Sequence, residues 1–116
     1  MWRPWLSAVV VSVLTACGGD NTNPVVTTKV YKYRGSLQCT GGGTAPAVMS
    51  MELTNAGIDV QSFSCGNDGL VHIAVCGASD GAINIFEIPE SQSAQAQLLS
   101  FPLLSTLPTA VEVPCP

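Results

Sequence analysis

The side chains of this 116-residue chain that could do acid–base or nucleophilic chemistry are few. His72 is the only histidine. It alternates with Val71 and Ile73, which predicts that it points away from them, at the surface beside a turn. No serine stands in a Gly-x-Ser-x-Gly elbow, so a small hydrolase has no recognisable nucleophile. Glu87 and Glu90 suggest a carboxylate pair of the glycosidase kind. An acid ending a strand and an acid opening a helix, where the helix dipole favours it, account for both without catalysis. Asn67, Asp68 and Asp80 lie on two glycine-rich turns, 66–69 and 77–81, and oxygen donors of this type suit calcium. Their spacing matches no EF-hand loop, and Asn and Asp serve turns by bonding their own backbone. The triple glycine 41–43 lacks the lysine and the spacing of a phosphate loop. Catalysis is therefore not expected, no cofactor is called for, and no metal site is assigned.

The first residues carry a sharper signal. Arg3 and the amino terminus precede an apolar or small run, 6–16, of eleven residues. Crossing roughly 30 Å of hydrocarbon takes about twenty residues, so this run is too short to span a membrane. It has the length of a signal-peptide core. The run ends in Leu14-Thr15-Ala16-Cys17, an aliphatic residue, two small ones and a cysteine. This resembles the lipobox of bacterial lipoproteins. The resemblance covers only the first twenty residues, and it implies cleavage before Cys17 and acylation of that cysteine. Two or more acyl chains, at about 0.8 kcal/mol per buried methylene, hold a protein on a membrane where one would not. Gly18 rather than aspartate follows the cysteine, which implies the outer membrane facing the periplasm in a Gram-negative host. In a Gram-positive host the same signal implies the surface of the single membrane.

Cleavage there leaves one small domain. It removes Trp2, Trp5 and Arg3, so the mature side chains carry three cations, Lys29, Lys32 and Arg34, against eight acids, a net charge of −5. Nucleic-acid binding depends on Lys and Arg neutralising phosphates and is not expected. With Cys17 lipidated, Cys39, Cys65, Cys76 and Cys115 remain. An even number in an oxidising compartment argues for two disulfides. A four-cysteine zinc site is the rival, but the short CxxC-type pairs that zinc knuckles use are missing. Three pairings are open. Cys65 and Cys76 each precede glycine and bracket a turn-rich stretch, which makes them the preferred pair and leaves Cys39 with Cys115.

The elements that must position these residues follow from periodicity. Residues 1–16 read as signal peptide, 17–28 as a lipidated tether with little to bury, and 29–116 as a single domain. Over 29–39, Tyr31, Tyr33, Leu37 and Cys39 alternate with Lys32, Arg34, Ser36 and Gln38, the pattern of a half-buried strand with the polar row outward. Thr44 and Pro46 open a helix on which Met49, Leu53 and Ala56 share a face. Gly57 and Ile58 fit a Schellman ending. Residues 58–65 read as a second strand, 70–75 as a short strand or a covered loop, and 82–88 as a central strand apolar on both faces. A second helix follows from Ser91, with Ala94, Leu98 and Phe101 on one face and Pro102 as its stop. Residues 109–113 read as a last edge strand.

The order β-α-β-β-α-β points to a small two-layer α+β sandwich, an antiparallel sheet with two helices stapled by disulfides, with the ferredoxin-like arrangement as first choice. The function class that remains is a non-catalytic envelope module. Its partners are membrane lipid, through acylated Cys17, and an envelope protein or polymer. A calcium-binding module and an inhibitor of an envelope enzyme are the alternatives, and the mature chain's lack of tryptophan weakens sugar stacking. Lys32 and Arg34, read as an outward basic strip, form the candidate partner surface.

Overall fold

The computed structural model describes residues 25–116, so the lipobox and Cys17 lie outside the described residues. Four strands, β1 (Thr27–Tyr33), β2 (Ser62–Asn67), β3 (Ala82–Pro89) and β4 (Val111–Val113), form one antiparallel sheet in the order β1-β3-β2-β4. Helices α1 (Pro46–Thr54) and α2 (Ser93–Leu98) complete a small two-layer α+β sandwich. No helix among the described residues is long and apolar enough to cross a membrane.

As its two-faced apolar sequence predicts, β3 is central. Phe86 and Ile88 point into one layer with Val30 of β1, Met49 and Leu53 of α1, Ile58, Ala96 of α2, and Phe101. Ile83 and Ile85 are buried on the other face. Each fully buried aliphatic or phenylalanine side chain contributes about 1.5–3 kcal/mol, so β3 is where the sheet gains most. Phe86 and Phe101 meet edge-to-face with ring centres 5.6 Å apart.

The first helix ends as its sequence predicts. The amide of Ile58 donates to the Leu53 carbonyl and that of Gly57 to Thr54, the paired bonds of a Schellman turn, with Gly57 at φ +85°. Thr44 does not cap this helix. Ala45 precedes it, and the Thr44 carbonyl instead accepts the side-chain amide of buried Asn84.

Other expectations are corrected. The sheet begins at Thr27, inside the stretch read as tether, because the Thr27 hydroxyl bonds Glu87 across the strand pair at 2.6 Å. The first strand stops at Tyr33, since Gly35 at φ +84° turns the chain before Leu37 and Cys39 can continue the row. Its faces are also reversed. Val30 and Lys32 point to the helix layer, where Lys32 lies over the Phe101 ring, and the tyrosine row packs on the other face. Residues 58–61 close the helix and approach the sheet, and only 62–67 pair as strand. In the second helix Ala96 and Phe101 are buried while Ala94 and Leu98 are exposed. A 3₁₀ turn at Glu90–Gln92 shifts the face, and Ser100 at φ +73° ends the helix so that Phe101 bonds back to Ala96.

The ferredoxin-like arrangement seats the last strand beside the first. Here β4 pairs with β2 at the opposite edge. The outer edge of β1 is already taken: the amide of Tyr31 donates to the Pro102 carbonyl, and Val30 bridges Leu103. All four cysteines among the described residues form disulfides, but the pairing is Cys39–Cys76 and Cys65–Cys115. Cys65 sits opposite Val113 in the β2–β4 pair, two residues from Cys115, whereas Cys76 is carried out toward the turn that holds Cys39.

Candidate functional site

Between β2 and β3 the chain runs as an irregular loop, 68–81, and its segment 70–75 is the most exposed apolar surface of the fold. Val71 is 99% exposed and Ile73 73%, with Leu70 and Val75 about half exposed beside them. The segment was expected to be a strand or a covered loop. It is neither, because both neighbouring sheet positions are filled by β4 and β1.

Local geometry holds this loop in place from below. Asp68, fully buried, accepts the Tyr33 hydroxyl at 2.8 Å and the Leu70 amide at 3.0 Å. His72 Nε2 lies 2.8 and 2.9 Å from the two Asp68 oxygens. A carboxylate only accepts, so Nε2 is the ring nitrogen that carries the hydrogen. His72 is thus the inward member of the alternation, and Val71 and Ile73 are the outward ones. Gly81, at φ +78°, makes this possible, since a Cβ there would stand 2.6 Å from His72 Nε2 and 2.8 Å from Asp68 Oδ1. At the far side of the loop, Gln38 Nε2 donates to the Ile73 carbonyl at 2.6 Å, and the Cys39–Cys76 bond closes the loop's C-terminal end.

Burial pushes the Asp68 carboxyl up, but the Leu70 amide, His72 and the Tyr33 hydroxyl together outweigh it and hold its pKa below the ordinary value. Burial, reinforced by the hydrogen bond to Asp68, pushes the Tyr33 hydroxyl up to about 12. The two signs fix opposite pH limits. A carboxyl lowered in the fold stabilises above its unfolded value, about 3.9, and that stability is lost as the pH falls below it. A phenol raised from 10.0 to about 12 stabilises below 10 and loses that contribution as the pH rises between the two. The melting temperature is therefore expected to be flat through neutral pH and to fall on both sides. Asp68→Asn should flatten the acid limb, and an acid limb of undiminished slope in that variant would show that the carboxyl is not the group responsible.

The oxygens weighed for calcium are used internally. Asp68 is occupied as described, Asn67 Oδ1 accepts the Gly69 amide, and Asp80 Oδ1 accepts the Ser36 hydroxyl and the Ala82 amide. Asn67 and Asp80 do meet, through a 3.3 Å bond from Nδ2 to the Asp80 carbonyl. Among the described residues no group of three or more His, Cys, Asp or Glu is arranged to hold a metal ion. Glu87 lies at the Thr27 and Ser62 hydroxyls, which lower its pKa in that order. Glu90 opens the 3₁₀ turn after β3.

Lys32 and Arg34 do not form one outward strip. Lys32 Nζ pairs with Glu52 of α1 at 2.8 Å, while Arg34 is half-buried beside Asn84 and Cys65. Lys29, the remaining Lys or Arg among the described residues, reaches across the sheet to Glu112 of β4 at 2.6 Å. The loop itself was missed by sequence reasoning, although the run of β-branched residues around a single histidine, ended by cysteine, was visible. Compared with known proteins, the chain matches no family model, no curated protein and no solved structure.

Proposed function

We propose that this protein is a lipid-anchored module of the cell envelope that binds a partner protein through the apolar loop 70–75. The observation that carries the reading is the high exposure of Val71 and Ile73 on a loop held by a disulfide and by His72 on buried Asp68. Scattered exposed aliphatics are ordinary, but a contiguous apolar patch held rigid is the usual mark of a binding surface. Rigidity matters because a loop already in its bound shape avoids the entropy cost of ordering on contact.

Two features favour a protein over the bilayer as the occupant. The chain enters β1 at Thr27, and the loop is fixed to the other end of that strand, at Tyr33. Entry of the chain at the end of β1 opposite the loop supports an anchor at Cys17 on the side away from the loop. The loop and its flanks, 66–81, also lack the Lys, Arg and Trp that interfacial segments use. A partner with an apolar pocket and a basic rim fits a module of charge −5. Where that pocket is an enzyme's active-site cleft, the module is an inhibitor, a role that a convex, pre-ordered loop suits. The Asp68–His72–Tyr33 cluster is then a brace and not a catalytic set, since no serine or threonine hydroxyl among the described residues bonds His72.

The test is recovery of crosslinked partners from intact envelopes. Val71→Asp with Ile73→Asp is expected to cut recovery of a specific partner by at least about thirtyfold, the loss expected for hot-spot residues worth 2 kcal/mol or more. Both positions are solvated, so the fold should be unaffected. The same partner captured in equal amount by wild type and variant would rule the loop out as the binding surface.

A further inference from the structure

We propose that the cleft beside Arg34 binds a small amphoteric carboxylate of amino-acid size, its carboxylate on the Arg34 guanidinium and its ammonium toward Asp80. The cleft, about 280 Å³, lies where the ends of β1, β2 and β4 meet the start of β3. That is close to the lower end of small-ligand pockets, about 300–1,000 Å³, and suits a molecule the size of one amino acid.

Of the three cations among the described residues, Lys29 and Lys32 pair with Glu112 and Glu52. Arg34 alone pairs with no carboxylate among the described residues. Its Nη1 has only two long contacts, 3.5 Å to Asn84 Oδ1 and 3.5 Å to Cys65 Sγ. Both neighbours are rigid: Asn84 is buried and tied by its amide to the Thr44 carbonyl and Met49 Sδ, and Cys65 is in a disulfide. A guanidinium has five N–H donors, so most of this one's capacity is unused. A half-buried cation in that condition is matched by a carboxylate, which the planar fork engages in two parallel bonds.

The same cleft is lined by Asp80. Its Oδ1 is occupied by Ser36 and Ala82, and Oδ2 has no hydrogen-bond partner among the described residues. Among the described residues Arg34 and Asp80 form no ion pair with each other, and both line the cleft. A site with one charge of each sign disfavours a simple anion such as phosphate and suits a zwitterion. The intervening walls, Ala82, Val113 and Pro114, are apolar and call for an aliphatic side chain.

The experiment is a titration of the ¹⁵N-labelled full-length chain, followed at the Arg34 Nε–H and at the Gly41 and Gly42 amides. The probes are the common amino acids, with L-leucine as reference, and two leucine derivatives, leucinamide without the carboxylate and N-acetylleucine without the ammonium. Saturable shifts are expected with leucine or another aliphatic amino acid. Loss of either charged end should weaken binding by about tenfold, as one charge-assisted contact is removed. Arg34→Lys should weaken every carboxylate probe by a similar factor. Asp80→Asn keeps the Oδ1 contacts, and it should abolish the preference for leucine over N-acetylleucine. No saturable shift with any amino acid overturns the proposal, as does equal binding of leucinamide. Unchanged amide spectra elsewhere in both variants show that the fold is not the cause.

Discussion

Replacing Cys65 and Cys115 together by alanine is expected to destabilise the domain by about 4 kcal/mol, the loop-closure entropy of a cross-link between residues 50 apart. That is a large share of the stability of about 5–15 kcal/mol typical of a small domain. Here the loss is compounded by position. Cys65 is buried, and its bond reinforces the short backbone pairing that holds the three-residue, solvent-exposed strand β4 on the edge of β2. Strand β4 carries Glu112, the partner of Lys29, and Val113, a wall of the Arg34 cleft. Urea unfolding should show a midpoint lowered by about a quarter or more of its wild-type value, and the wild-type protein under reductant, which opens both bonds, should lose more still. Removing Cys39 and Cys76 has a similar entropic cost, for a separation of 37 residues, but it frees an exposed loop and not a strand. Equal unfolding midpoints for wild type and the Cys65/Cys115 variant would mean that this bond does not close in the native protein.

Cys17→Ser is expected to abolish acylation and to release the protein from membranes entirely. The expectation rests on Leu14-Thr15-Ala16-Cys17 and on the arithmetic of acyl anchors, in which two or more chains together bind far beyond one. Metabolic labelling with a fatty acid, followed by fractionation, reads both effects at once. A serine variant that still carries acyl mass and sediments with membranes would leave the lipobox reading without support.

Much of the framework was legible in the sequence, for physical reasons that can be named. The two-faced apolar run 82–88 reads as a central strand, Gly57 followed by Ile58 fits a helix ending over Leu53, and the structure has both. What misled was always a matter of which partner a segment finds. Alternation showed that Lys32 and Tyr31 face opposite ways, but not which way is inward. That depends on Glu52 and Phe101, distant in sequence, receiving the lysine. The edge of β1 is covered by 102–103, which no local pattern announces, and that contact decides where β4 goes and with it both disulfides. The exposed loop 70–75 read as a short strand or a covered loop, and the strand preference of Val71, Ile73 and Val75 means little without a neighbour to pair with.

The crossed pairing of the cysteines also bears on survival in the presence of proteases. The closed loops 39–76 and 65–115 overlap, so every peptide bond between Cys39 and Cys115 is bridged by at least one disulfide. A single nick anywhere in that span leaves the two fragments covalently joined. In the overlap, 65–76, which contains the exposed aliphatic loop, both bonds bridge the cut. A protease can thus hydrolyse the bond beside Val71 or Ile73 without releasing either half, and the severed ends stay close enough for the same peptide bond to be remade.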